Sequence, residues 1–113
     1  MDINQICISG RLFDIGVNES RQTDYPVVEA KLSVLMRYDK DNNEVYDEFN
    51  VRSYGKKSTF ISTLPEGVFV VITGMLKEDI RVNANDPNTT RSKTYINIDK
   101  IKTIGFGKGD YIE

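Results

Sequence analysis

The sequence of 113 residues contains no histidine, no tryptophan and a single cysteine, Cys7. Because histidine is the commonest general acid or base and a common metal ligand, its absence argues against many kinds of enzyme and metal site. A lone cysteine forms neither an internal disulfide nor a thiolate zinc site, and here it lacks the usual histidine partner of a catalytic thiol. We therefore expect Cys7 to be a buried small apolar residue, and we expect no enzymatic activity, no cofactor and no metal site.

Long apolar segments are also missing, since no run approaches the roughly 20 residues that a membrane-spanning helix needs. The N-terminus has neither the basic region nor the apolar region of a signal peptide. These absences predict a cytoplasmic protein with no membrane partner, either associated with the nucleoid or, if phage-encoded, in the host cytoplasm.

The acidic residues form no recognisable active site. Asp47 and Glu48 are adjacent, so on a strand their side chains point to opposite faces. The series Asp39, Asp41, Asn43 resembles a calcium loop but lacks the glycine and the final glutamate that such a loop requires. A hydrolase that works through carboxylates is the least favoured alternative function.

Charge is distributed unevenly along the chain, although the net charge is only −2. Residues 1–51 hold five basic and ten acidic residues, a balance of −5, whereas residues 52–108 hold ten basic and five acidic residues, a balance of +5. A protein that binds a polyanion through a patch could have this asymmetry. Ordinary scatter of surface charge would also produce it.

Five strand-like runs account for most of the chain, at about residues 3–12, 27–38, 45–54, 68–77 and 94–104. A short helix is predicted at 57–64, and polar connections are predicted at 14–26 and 81–93. The order β-β-β-α-β-β predicts an all-β fold, the five-stranded Greek-key barrel called the OB-fold, with one short helix between strands 3 and 4. We expect residues 1–105 to form this domain and residues 106–113 to form a short C-terminal tail.

Alternate residues of a strand point to opposite faces, so even-numbered and odd-numbered positions of the third strand form two sets of opposite parity. The odd-numbered set is mostly apolar. If it faces the core, the even-numbered residues Tyr46, Arg52 and Tyr54 face outward. The run at 68–72 is continuously apolar, which is typical of a strand buried on both faces. The phenylalanines are expected in the core, namely Phe49, Phe60 and Phe69.

Single-stranded nucleic acid offers flat bases that stack on aromatic rings and phosphates that pair with Arg and Lys. Residues of those types near the third strand, or beside the connection between the last two strands, are therefore the candidate DNA-binding residues. The candidates are Arg37, Tyr38, Tyr46, Arg52, Tyr54, Lys56, Lys77, Arg81, Arg91 and Lys93.

Four segments of the chain resemble the bacterial and phage single-stranded DNA-binding protein (SSB) family. The opening NQICISGRL at 4–12 is similar to the start of the family's first strand, and 27–36 is similar to its second strand. EFNVRSYGK at 48–56 is similar to the third strand, and PEGVFVVITGML at 65–76 is similar to the fourth. Together the segments cover about residues 3–104.

This resemblance implies an oligomer of identical chains, a tetramer or dimer, that binds and protects single-stranded DNA without sequence preference in replication, recombination and repair. It implies that Tyr54 stacks on bases with Arg52 and Lys56 beside it, that Tyr38 is a weaker match to a stacking position, and that Arg11 lies in the groove. Replication or recombination proteins are implied as further partners.

The chain also departs from the family. The two aromatics of the third strand, Phe49 and Tyr54, are one residue closer than usual and have opposite parity, so we expect Tyr54 alone to face DNA. The linker and acidic, Phe-terminated tail of cellular members are absent, which suggests a tail-less version. The alternative function is an OB-fold module of a primosome or another protein assembly, with weak or no DNA binding. It is motivated by the acidic pI of about 5.2 and by aromatics of the family that are missing from this chain.

Overall fold

The computed structural model describes residues 2–18, 25–83 and 86–104, and it describes only the backbone of residues 81–83, 86, 87 and 89–91. Five strands and one helix follow each other as β1 (Ile6–Asn18), β2 (Val27–Tyr38), β3 (Glu44–Ser53), α1 (Lys57–Ser62), β4 (Val68–Asn83) and β5 (Asp86–Thr103). The strands close into a barrel in the order β1-β2-β3-β5-β4. The predicted all-β OB-fold with one short helix between strands 3 and 4 is confirmed.

Closure of the barrel depends on one parallel contact. Val51 and Arg52 of β3 pair with Ile96 and Asn97 of β5, whereas all other neighbouring strands are antiparallel. Strand β1 contributes to two ladders, since its first half pairs with β4 and its second half with β2. Because β1 is hydrogen-bonded to both β4 and β2, the described sheet is continuous on both sides of β1.

The barrel interior is filled by one apolar cluster to which every strand and the helix contribute. Its buried members are Leu12, Val28, Ala30, Leu32, Val51, Ile61, Leu64, Val68, Val70, Ile72, Ile96, Ile98 and Ile101. Phe49 and Phe60 are partly buried against this cluster, as expected. Alternation of these residues with outward-facing ones along the strands sets the register, because a shift of one residue would turn the core set outward.

The turn of the β2–β3 hairpin has a clear local cause. The Asp39 carboxylate accepts hydrogen bonds from the backbone N–H groups of Asp41 and Asn43, both at 2.9 Å. Asn42 adopts a left-handed backbone conformation with φ of 63°, which asparagine tolerates better than most residues. The polar run between the two strands therefore forms a tight turn.

The β4–β5 ladder is irregular at Gly74. Thr73 pairs with Lys100 and Gly74 pairs with Ile98, so Asp99 is an extra residue on β5. A Cβ placed on Gly74 would lie 2.0 Å from the Asn97 carbonyl oxygen. Only glycine allows the two backbones to approach so closely at this bulge.

Several expectations about the strands are wrong. Residues 14–18 extend β1 rather than starting a connection, and residues 81–83 and 86–93 extend β4 and β5 as a long hairpin rather than forming a polar loop. Sequence patterns identify strands by their apolar residues. Both segments are largely polar because they extend beyond the barrel, so the pattern did not indicate strands there. Residues 19–24, within the predicted connection, and the predicted tail at 106–113 lie outside the described residues.

Two predictions of burial are also wrong. The run at 68–72 is not buried on both faces, because Val68, Val70 and Ile72 face the core while Phe69 and Val71 lie on the outside and are half-buried. Cys7 is exposed, since it points to the outside of β1, whereas its neighbours Ile6 and Ile8 point inward and are partly buried.

No helix in the described part of the chain is long and apolar enough to cross a membrane.

Candidate nucleic-acid interface

The pairing register places three rows of side chains on the outside of β1, β2 and β3. Directly opposed residues on neighbouring antiparallel strands point to the same face, and successive outward positions are two residues apart. We call these rows the outer face. They consist of Arg11, Ser33 and Glu48; Phe13, Lys31 and Asn50; and Gly16, Glu29 and Arg52.

Arg52 lies in the third row and faces outward, as its parity predicts, but neighbouring side chains cover it. Only 7% of the residue is exposed. Its Nε donates to Glu29 of β2 at 3.0 Å, and its Nη2 lies 3.4 Å from the Asp79 carboxylate of β4. The guanidinium also stacks on the Tyr95 ring of β5, 4.1 Å from the ring centroid. Arg52 therefore connects four strands at the place where the β4–β5 hairpin leaves the barrel.

The electrostatics of this cluster keep Arg52 charged. Burial alone lowers the pKa of its guanidinium, but the hydrogen bond to Tyr54 and the Glu29 carboxylate outweigh burial, so that its pKa is raised above its usual value. Two carboxylates compensate the buried cation, which is the arrangement that makes a buried charge tolerable. The same two carboxylates occupy the donors that a phosphate would need.

Tyr54 is half-buried beside this cluster. Its hydroxyl accepts a hydrogen bond from Arg52 Nη1 at 3.3 Å. The neighbouring Tyr95 is buried and is hydrogen-bonded to Tyr54, and both effects raise the pKa of Tyr95 while Arg52 opposes them. Two tyrosines and one arginine thus fix each other's positions, and a ring fixed in advance loses little rotamer entropy when a base stacks on it.

Tyr38 and Tyr46 lie on the β2–β3 hairpin, with 56% and 46% of each residue exposed. Tyr46 donates its hydroxyl hydrogen bond to Glu44, and this bond raises the pKa of Tyr46. The exposed Leu35 is the register partner of Tyr46, and Met36 is the extra residue of a bulge in β2. The hairpin therefore has an accessible apolar and aromatic surface, as predicted for the two tyrosines.

The basic candidates divide into those that the structure brings near Arg52 and those that it does not. Lys77 and Lys93 are exposed and lie opposite Tyr95 and Asp79 on the β4–β5 ladder, on the same face as the Arg52 cluster. Arg37 and Lys56 are exposed at the ends of β2 and β3, and Arg11 is exposed on β1. For Arg81 and Arg91 the structure gives only the backbone, as register partners farther along the same hairpin.

A groove of about 310 Å³ runs between β1, β2 and β5 beside the third row. Lys31 and Lys93 line it, but so do Asp14 and Glu29, so its charge is balanced. Within the described ranges, no group of three His, Cys, Asp or Glu side chains could hold a metal ion.

Sequence reasoning missed several aromatic and basic residues of this surface. Phe13 is 36% exposed on the outer face. Phe69, which was expected in the core, lies outside with the Arg11 guanidinium carbon 5.9 Å from its ring centroid. Tyr95 was assigned to a strand but given no role, and Lys31 was not considered. Since Leu12 belongs to the apolar set of β1 that faces the core, its neighbour Phe13 is predicted to face outward. In the run at 68–72 every residue is apolar, so the sequence does not show that Phe69 faces outward.

The comparisons with known proteins agree on the fold. No protein-family model and no curated protein matches this sequence. Among solved structures, a small single-stranded DNA-binding protein from Streptomyces coelicolor aligns with a TM-score of 0.67 and 24% identity, covering 93% of this chain and 97% of that chain. The SSB of Plasmodium falciparum in complex with ssDNA aligns with a TM-score of 0.70 and 18% identity, covering 92% and 95%.

The protein priB from Ralstonia solanacearum is also similar, with a TM-score of 0.65 and 14% identity over 91% of this chain and 100% of that chain. The chain covers nearly the full length of all three structures. The resemblance to single-stranded DNA-binding proteins is thus confirmed at the level of the fold.

Proposed function

We propose that this chain is an SSB-like protein that binds single-stranded DNA without sequence preference through the outer face and the β4–β5 hairpin. The observation that carries the proposal is the position of Tyr54, whose ring is held at the edge of the outer face by Arg52 and Tyr95. An aromatic ring with lysines nearby is what a stacking platform for bases requires. Lys77 and Lys93 provide those lysines on the same face.

In the proposed mechanism, a base stacks on Tyr54, and further bases stack on Tyr38 and Tyr46 at the hairpin. Exposed cations neutralise the phosphates between them, namely Arg11, Arg37, Lys56, Lys77 and Lys93. Arg81 and Arg91 are assigned the same role from the sequence alone. Arg52 has a different role from the one expected, because its donors face Glu29 and Asp79. It acts as a positioning residue that orients Tyr54.

The proposal has no catalytic step, and roles in replication, recombination and repair, together with a cytoplasmic location, stay predictions. Self-association also stays a prediction, supported by the edge of β1. The β1–β2 register begins at Arg11, so that among the described strands residues 6–10 pair with β4 alone. A strand segment paired on one side is able to add a strand from a second copy.

The test is a fluorescence-anisotropy titration with labelled oligo-dT, oligo-rU and a duplex at two salt concentrations. We expect salt-sensitive binding to oligo-dT and little binding to the duplex. Tyr54→Ala should weaken binding to oligo-dT by about tenfold or more, since a stacked base contributes about 1–3 kcal/mol. Tyr54→Phe, which keeps the ring, is the matched control and should bind nearly as well as the wild type. Equal affinity for duplex, or no dependence on salt, would contradict the proposal.

The second candidate is an OB-fold module of a protein assembly, such as a primosome, with weak DNA binding. It is favoured by the exposed apolar residues on the hairpin, Leu35 and Met36, and by the carboxylates that line the groove. This alternative predicts that oligo-dT binds weakly and that Tyr54→Ala leaves it unchanged. Replacement of Leu35 by Ser would then abolish capture of a specific protein from the host without altering the DNA titration.

A further inference from the structure

Three side chains meet around Gly67, at the point where the chain enters β4. Arg11 Nη1 donates to the Gly67 carbonyl oxygen at 3.0 Å, and the Arg11 guanidinium lies over Phe69. The Phe13 ring lies against Gly67 from the other side, since a Cβ placed on Gly67 would be 3.5 Å from Phe13 Cε1. We call Arg11, Phe13, Gly67 and Phe69 the Gly67 patch.

Local backbone contacts fix the geometry of this patch. The Gly67 N–H donates to the Leu12 carbonyl oxygen at 2.7 Å, and Gly67 has a φ of 81°. Because such a conformation suits glycine, no side chain separates Arg11 from Phe13 there. The Glu66 carboxylate accepts hydrogen bonds from the backbone N–H groups of Asp14 and Ile15, at 2.8 and 3.2 Å. The glutamate next to the patch is therefore engaged with the backbone.

Charge and exposure identify the kind of ligand that fits the patch. Phe13 is 36% exposed, and its register partner on β2 is the exposed Lys31. The accessible Phe13 ring suits the flat base of an unpaired nucleotide. Arg11 and Lys31, on either side of the ring, suit the phosphates that flank that base. The one acidic side chain in the same rows is Glu48, which lies two strands away from Arg11.

We propose that the Gly67 patch is a second stacking site, at which one unpaired base of single-stranded DNA stacks on Phe13 and its phosphates contact Arg11 and Lys31. This inference rests on the proposed function and adds a second stacking site to it. The patch overlaps the outer face, because Arg11 and Phe13 belong to its rows, and Phe13, Lys31 and Asn50 form one row from β1 to β3. Neighbouring strands are about 4.8 Å apart, so that the row spans about 10 Å. A bound strand would thus cross from β3 over β2 to β1.

The test compares Phe13→Leu, which keeps an apolar side chain but removes the ring, with Phe13→Tyr, which keeps the ring. Met75→Ala is the matched control, because Met75 is an apolar residue of β4 with a similar exposure of 39% that lies outside the patch. Each full-length variant is titrated by anisotropy with labelled oligo-dT of about 5 and about 16 nucleotides, the range that one OB-fold covers. Thermal unfolding checks that the variants remain folded.

We expect Phe13→Leu to weaken binding of the longer oligonucleotide by about tenfold, while Phe13→Tyr and Met75→Ala bind as the wild type does. The shorter oligonucleotide should lose less affinity, since it does not fill both stacking sites. Wild-type affinity of Phe13→Leu for both lengths would overturn the second site, while loss of binding in Tyr54→Ala would still support the proposed function. Equal losses for both lengths with a lowered unfolding temperature would indicate a structural role and also overturn it. Absence of binding by the wild type would overturn both proposals.

Discussion

At the scale of a single residue, Arg52 shows that a side chain can point out of the barrel and still be inaccessible to solvent. Its parity on β3 was predicted correctly, and its side chain does lie on the outside of the barrel. The side chain is nevertheless covered, because Asp79 and Tyr95 reach it from the β4–β5 hairpin. That coverage comes from residues 27 and 43 positions later in the sequence. Tertiary contacts of this kind leave no local signal in the strand that carries the arginine.

We expect Arg52→Ala to destabilise the protein strongly. The substitution leaves Glu29 and Asp79 close together without their cation and removes the contact with Tyr95. Removal of one partner of a buried ion pair costs about 3–5 kcal/mol, and we expect roughly 2–3 kcal/mol here because Glu29 is half-exposed and partly solvated. Urea denaturation would measure the loss. Arg37→Ala, at an exposed position, should change the free energy of unfolding by less than about 0.5 kcal/mol, and a similar small change for Arg52→Ala would contradict the positioning role.

The raised pKa of Tyr95 predicts a loss of stability in alkali. Its pKa in the folded protein lies above the ordinary 10.0, because burial and the hydrogen bond with Tyr54 disfavour the phenolate. The unfolded chain therefore releases this proton first, so that the stabilisation is complete below about pH 10 and is lost as the pH rises through the folded-state pKa. Denaturation of the wild type and Tyr95→Phe at about pH 8 and about pH 11 would measure it.

Tyr95→Phe should lose less stability between the two pH values than the wild type does. Tyr38→Phe, which removes the hydroxyl of an exposed tyrosine, is the matched control. An identical loss in the wild type and Tyr95→Phe would show that Tyr95 does not contribute to the alkaline instability.

At the scale of elements, apolar alternation and turn chemistry predicted the part of each strand that belongs to the barrel. The bounds of β2 match the predicted 27–38, and β3 is displaced by one residue. The extensions of β1, β4 and β5 were missed because strands outside the barrel bury little apolar surface. The Gly67 patch was missed for a related reason, since Phe69 lies within an unbroken apolar run that does not show which residues face outward.

The bulge at Gly74 leads to a prediction about the pairing of β4 and β5. Gly74→Ala would place a Cβ 2.0 Å from the Asn97 carbonyl oxygen, so that the two strands must separate where the barrel closes. We expect a loss of at least about 1–3 kcal/mol, as for other overpacked sites, by thermal or urea unfolding. In Gly16→Ala the nearest atom to the new Cβ would be the Glu29 carbonyl oxygen at 3.8 Å. This control should be neutral or stabilise slightly, and equal stability of both variants would contradict the close approach.

At the scale of the whole molecule, the fold brings lysines from the basic half of the chain to the same side as the outer face. The basic half of the chain includes Lys77 and Lys93, which share one face of the β4–β5 hairpin. The acidic half contributes Glu29 and Glu48 to the outer face. One face of the hairpin therefore carries two exposed lysines, although the net charge of the chain is −2. Binding through such a patch depends on which cations meet phosphates, and the net charge does not determine it.

Salt dependence tests this arrangement directly. For single-stranded DNA, the logarithm of the binding constant falls with the logarithm of salt concentration by about 0.7 for each phosphate neutralised. If Lys77 and Lys93 each contact one phosphate, the double variant with both lysines replaced by Ala should reduce the slope by about 1.4. Lys40→Ala, an exposed lysine in the β2–β3 turn, is the control and should leave the slope unchanged. Weaker binding of the double variant at an unaltered slope would mean that these lysines act on the shape of the hairpin and not on the phosphates of the bound strand.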